Sequence, residues 1–213
     1  MSYGMVELPS GKMKSREGTV VDADDLMSEM IDSARQITEA SGKDQGFSDT
    51  EKQELYNNIG LGALKFFLLK IDPKKKMLFN PEESIDFHGF TGPFVQYTHA
   101  RIHSILRKAA EENNGIIIAV PEISEINKEE KELLMALLQQ QNKVKEAADN
   151  LSPAIIANYV YQVAKAFNTF YAEHSILKSE GEIKALRLAM ADYTAKTLKY
   201  SLNLIGIQAP NKM

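Results

Sequence analysis

The stretch GFTGPFVQYTHARIHSILRKA (Gly89–Ala109) decides the class of fold. From Thr91 onward Phe94, Val95, Thr98, Ile102, Ile105 and Leu106 recur every three to four positions, the period of an α-helix with one buried face. The same period runs on both sides. Leu26, Met27, Met30, Ile31, Ala34 and Ile37 follow the capping carboxylates Asp22, Asp24 and Asp25, predicting a helix that ends near Ala40. Ser48-Asp49-Thr50, with Glu51 just inside, caps a second helix halted by Asp72-Pro73, in which Gly60 and Gly62 suggest close packing or a bend. Three more helices are expected: Lys128 to about Asn150, Pro153 to about His174 with Ser152 as cap, and Glu180 to about Leu204, ended by Gly206. Only MSYGMVEL (Met1–Leu8) and fragments of the connector DPKKKMLFNPEESIDFHGFTG (Asp72–Gly92) suit short strands, so the expected architecture is all-α.

Composition narrows the function classes. The 213 residues suffice for one sizeable core or two smaller ones, and a formal charge of -4 leaves nucleic-acid contact to a local basic surface rather than to bulk attraction. Cysteine is absent, which removes disulfides and thiolate metal sites and fits a reducing compartment. No leader pattern opens the chain and no apolar run approaches the roughly 20 residues of a membrane span, so the cytoplasm is the expected location.

Three stretches carry chemistry. SGKMKSREG (Ser10–Gly18) offers Lys12, Lys14, Ser15 and Arg16 on a glycine-flanked backbone, donors suited to a triphosphate, although an exposed basic turn explains them better when they are taken alone. On the Gly89–Ala109 helix, Phe94, Thr98 and Arg101 fall near one side, with Gln96, Tyr97 and His103 on neighbouring rows; aromatics beside arginine can stack on exposed bases, and the same aromatics serve equally as core. Lys74, Lys75 and Lys76 concentrate charge beside a helix end, where they complement its dipole and suit either solvent or a polyanion. His99 and His103 lie one turn apart without a positioned third ligand, so no metal site is expected. No carboxylate pair or nucleophile arrangement stands out.

In order, GKMKSREG, TGPFVQYTHARI and IKALRLAMADYTAKTLKYSLNLIGIQAPNKM resemble three motifs of the arginyl-tRNA synthetases, class I aminoacyl-tRNA synthetases: the KMSKS loop, the helix TGPY-x-QYAHAR, and the closing DALR helix with its terminal Pro-x-x-Met. The resemblance spans the chain. It implies ATP-dependent ligation of L-arginine to arginine tRNA in a parent enzyme, with Mg2+ accompanying the ATP. Lys12 matches the first lysine of the loop; Ser15 stands where the second would be, leaving Lys14 and Arg16 as compensating cations. The family's aromatic, small residue and terminal methionine around an anticodon base match Phe94, Thr98 and Met213, with Phe for Tyr and Thr for Ala; Tyr97, His99 and Arg101 match QYAHAR directly. Lys184 replaces the aspartate of DALR, which makes that motif mostly a packing element.

The implied organisation is the end of a catalytic domain with the phosphate loop (1–23), helices under the tRNA stem (24–72), a connector (73–90) and a DALR anticodon-binding domain (91–213). The family's His-Ile-Gly-His signature and its nucleotide-binding sheet are not in this sequence. The chain is therefore expected to be a fragment, monomeric and inert as a ligase by itself, binding arginine tRNA through Phe94, Tyr97, Thr98, Arg101, Lys74, Lys75 and Met213. The alternative is a helical protein-interaction module with no nucleic-acid role.

Overall fold

The structure is a computed structural model, and it describes residues 4–7, 22–42, 45–112 and 125–213. The elements are β1 (Val6–Glu7), α1 (Ala23–Ala40), α2 (Asp49–Leu69), β2 (Met77–Leu78), α3 (Pro81–Ser84), α4 (Gly92–Glu112), α5 (Lys128–Leu138), α6 (Gln140–Asp149), α7 (Pro153–Glu173) and α8 (Gly181–Leu204). The all-α expectation holds. β1 and β2 form one short parallel pair, Val6 opposite Met77 and Glu7 opposite Leu78, which ties the start of the chain to the connector. No helix among the described residues is long and apolar enough to cross a membrane.

The caps read from sequence set the helix starts. Asp22 accepts from the Asp24 amide at 3.1 Å. Ser48 and Glu51 form a reciprocal box: the Ser48 amide donates to Glu51 Oε2 at 2.8 Å, and the Glu51 amide donates to Ser48 Oγ at 3.4 Å. That backbone hydrogen bond, then the Ser48 hydroxyl, hold the Glu51 carboxyl below its ordinary range. Ser152 sits at the N-cap of α7, as expected, but makes no side-chain cap bond. Past α8, Gly206 takes φ +71°, and Ile207 N–H donates to Leu202 O while Gly206 N–H donates to Asn203 O, the paired closure of a left-handed helix end.

Two expectations need correction. The helix expected from Lys128 to Asn150 is interrupted at Gln139, giving α5 and α6. Leu133 and Leu137 bury α5 against the core, the sequence then turns polar at Gln139-Gln140-Gln141-Asn142, and α6 buries no residue fully; the break lets Val144 and Ala147 still lie on the core beside α7. The connector also contains α3, started by Asn80, whose side chain accepts from the Glu82 and Glu83 amides, with Pro81 in the first turn.

Packing forms two cores. α1 lies on α2, with Met30, Ala34, Leu55, Ile59, Ala63, Leu64 and Phe67 closed over by Phe79 and Ile85. Phe66, on the other side of α2, joins α4, α5, α7 and α8 in the larger core of Val95, Ile102, Val160, Phe167, Phe170, Leu198 and Leu202. Gly60 and Gly62 act by close packing. A Cβ on Gly60 would lie 2.7 Å from Met30 O, and one on Gly62 would lie 2.5 Å from Gln96 Nε2; α2 runs through both without a break.

Candidate nucleic-acid interface

Helical spacing puts Phe94, Tyr97, Thr98 and Arg101 together on α4, on the side that meets α7. The half-buried Phe94 ring lies 5.5 Å from the ring of Tyr161 on α7, which also meets Phe90 at 4.5 Å. The Arg101 guanidinium sits 4.8 Å over the Tyr97 ring, and the Tyr97 and Phe87 rings meet in a T-shaped arrangement with centroids 6.1 Å apart. Arg101 Nη1 donates to Asn168 Oδ1 at 2.6 Å; Asn168 Nδ2 donates to Thr98 Oγ1 at 2.8 Å and to Ala164 O at 2.9 Å; the Thr98 hydroxyl donates to Phe94 O at 2.9 Å. Thr98 is only 1% exposed, so its side chain is a strut beneath the face, while Phe94, Tyr97 and Arg101 are partly open.

Asn168 is the member that sequence reading missed. Its signal was a polar residue on the apolar stripe of α7, one turn beyond Ala164 and two beyond Tyr161. Lys165, exposed one turn before it, adds a cation at the rim.

Other candidates lie elsewhere. Lys74 and Lys75 are exposed on the turn between α2 and β2, their amides fixed by Asp72, while Lys76 pairs with Glu7 at 2.7 Å. Met213 is half-buried against the smaller core, whose partly buried members include Phe87; Phe94 packs against the larger one. Lys12, Lys14, Ser15 and Arg16 lie outside the described residues. His99 faces away from the aromatic group, with Nδ1 2.8 Å from Pro210 O and its ring 4.5 Å from that of His103. Burial is the main cause that draws His99 down to about 4; the bond to Pro210 opposes it, and His103 and Lys199 add to it.

The DALR-like segment is a clasp. Arg187 Nε donates to Glu130 Oε1 at 2.8 Å, both side chains nearly buried, and Arg187 Nη1 reaches Ser175 O and Ser179 Oγ. Burial alone would raise the Glu130 carboxyl; hydrogen bonds from the Asn127 amide and Arg187 outweigh it and hold the group below its ordinary range. Lys184, in place of an aspartate, pairs with Glu112 of α4 at 3.1 Å.

A family described as the DALR anticodon binding domain matches residues 95–213, more than half of the chain. The chain belongs to the DALR anticodon-binding domain family. A second family, the catalytic domain of class I tRNA synthetases (R), matches residues 1–80, ahead of the DALR domain. Arginine–tRNA ligases of Flavobacterium psychrophilum and Bacteroides thetaiotaomicron are 52% and 50% identical over the whole chain. The chain spans only about a third of those relatives, 35% and 36% of their length. Among solved structures, arginyl-tRNA synthetase of Thermus thermophilus covers the chain fully at TM-score 0.88 and 33% identity, with 35% of that protein matched. The Plasmodium falciparum arginyl-tRNA synthetase shares the fold at TM-score 0.76 and 21% identity, over 99% of this chain and 34% of that one. Over the matched residues, α4 carries Tyr97 and Arg101, with Phe94 one residue ahead of the match, and α8 carries the clasp.

Proposed function

We propose that this chain is the anticodon-reading part of an arginine–tRNA ligase and binds arginine tRNA. One observation carries the reading: the DALR match runs from residue 95, in the first turn of α4, to the C-terminus, and on that helix Tyr97 and Arg101, with Phe94 just ahead of the match, form a partly open face of two rings and a stacked guanidinium. Such a face suits unpaired loop bases, which offer π-surfaces and hydrogen-bonding edges. Phe94 stacks on a base, Tyr97 and Arg101 grip its neighbour or the backbone, and Thr98 supports them from below. Met213, at the C-terminus, closes on the bound loop, and Lys74 and Lys75 meet phosphates of the stem beside residues 24–72. The division into 1–23, 24–72, 73–90 and 91–213 follows these roles.

The parent ligase would use ATP with Mg2+ and L-arginine, with Lys12, Lys14 and Arg16 toward the triphosphate. We place it in the cytoplasm as a monomer. Ligation requires those substrates to be positioned against one another, so the chain alone, without the His-Ile-Gly-His signature, is expected to bind and not to ligate.

Filter binding of the chain to a panel of tRNAs tests the reading. Arginine tRNA is expected to bind at least about tenfold tighter than other tRNAs, with affinity that falls as salt rises. Equal binding to all tRNAs, or none to any, overturns it.

A further inference from the structure

We propose that Gln96 and His99 are positioning residues for RNA binding: buried in α4, they hold the C-terminal strap, Ile205–Met213, where Lys212 and Met213 can reach the RNA. The proposal rests on the anticodon-binding reading above. Beyond Gly206 the strap has no helix or sheet to satisfy its carbonyls, so side chains from the body of the protein supply donors. Lys65 Nζ donates to Gly206 O at 2.8 Å, Gln96 Nε2 to Gln208 O at 2.8 Å, and Arg107 Nη1 to Asn211 O at 3.0 Å. His99 Nδ1 lies 2.8 Å from Pro210 O; since a carbonyl only accepts, Nδ1 carries the proton. Gln96 also donates to Asn58 O of α2 at 2.8 Å, so one amide group joins α2, α4 and the strap.

Gln96 and His99 are both 0% exposed, and each leaves one buried polar atom, Gln96 Oε1 and His99 Nε2, without a hydrogen-bond partner among the described residues. For packing alone, apolar side chains of similar size would fill that space without the cost of desolvating two polar atoms. What the polar pair adds is a fixed register for the strap. Gly62 has room only for Gln96 above it, which keeps that amide in place. At the far end, Lys212 Nζ lies 4.1 Å from the Phe47 ring and 3.3 Å from Gly46 O, its side chain still exposed, and Met213 is half-buried. The strap thus delivers a cation and a thioether from a backbone pinned one and two residues earlier, which lowers the ordering cost when RNA binds.

The test uses the whole chain and an arginine-tRNA anticodon stem-loop, comparing wild type, His99→Leu, His99→Asn, removal of residues 211–213, and His99→Leu combined with that removal. Hydrogen exchange over 205–213 is read in parallel. His99→Leu is expected to weaken binding about tenfold and to speed exchange in the strap while α7 stays protected. His99→Asn, whose amide N–H can stand in for Nδ1–H, is expected to recover to within about threefold of wild type. On the shortened chain His99→Leu should change affinity by less than about twofold, because both changes act through the same residues. If His99→Leu does not fold, Gln96→Met carries the same comparison. Wild-type affinity in a variant whose strap exchanges freely overturns the proposal, as does a full tenfold loss on the shortened chain. Should wild type itself bind no anticodon RNA, the underlying reading fails instead, while the exchange data still show whether His99 holds the strap.

Discussion

At the residue scale, Arg187 and His99 show how polar groups are held inside this helical protein. Arg187 reaches from α8 to Glu130 on α5 and to the Ser175–Ser179 turn, so removing the guanidinium strands a nearly buried carboxylate. Arg187→Met is expected to cost about 3 kcal/mol in urea unfolding, and Arg187→Met with Glu130→Leu to cost less than the single change, because the double variant buries no lone charge. His99 has the opposite pH signature to a paired histidine. Its pKa is lowered from 6.5 to about 4, with the shift of His103 in the same direction, so the unfolded chain takes up protons that the folded one refuses. Stability is therefore full above pH 6.5 and declines as pH falls toward 4; between pH 7 and 5 the His99 share of the loss is about 2 kcal/mol. His99→Asn should flatten that decline, measured as the urea midpoint against pH.

At the scale of elements, the tightest constraint is the crossing of α1 on α2 at Gly60. A methyl group there would meet Met30 O at 2.7 Å and the Ile31 backbone at 2.8 Å, atoms that move only if α1 moves. Gly60→Ala is expected to destabilise by about 2 kcal/mol in the same urea assay despite the better helix propensity of alanine. The sequence announced that glycine pair, the caps at Asp22 and Ser48, and the ends at Ala40 and Gly206, because each is decided by a few neighbouring residues. The break at Gln139 was not legible, since it depends on where α7 offers a surface to Val144 and Ala147 rather than on a glycine or proline. Phe94, Thr98 and Arg101 were legible as a group through their helical spacing, while Tyr97 fell on a neighbouring row and joined them through the resemblance to QYAHAR. Asn168 was not, for it stands 67 residues from Arg101 and only the packing of α4 on α7 joins them. The strap at Gln208–Asn211 looked irregular, and its order comes from donors more than a hundred residues away, Gln96, His99 and Arg107.

At the scale of the molecule, two cores share α2, and the helix that carries the aromatic face also carries, on its other side, the residues that pin the chain's end. Both sides of α4 are thereby committed: one to α7 and an open rim, the other to α2, α8 and the strap. This arrangement presents a local face of rings and a guanidinium on a protein whose net charge of -4 gives no general attraction to RNA. Selectivity should then come from the loop bases rather than from the phosphate backbone. The most direct measurement transplants an arginine anticodon into the anticodon stem-loop of another tRNA and compares its affinity with that of the unaltered stem-loop at fixed salt. The account predicts that the transplant gains at least about tenfold in affinity and that Phe94→Ala abolishes the gain. Equal affinity for the two stem-loops would contradict it.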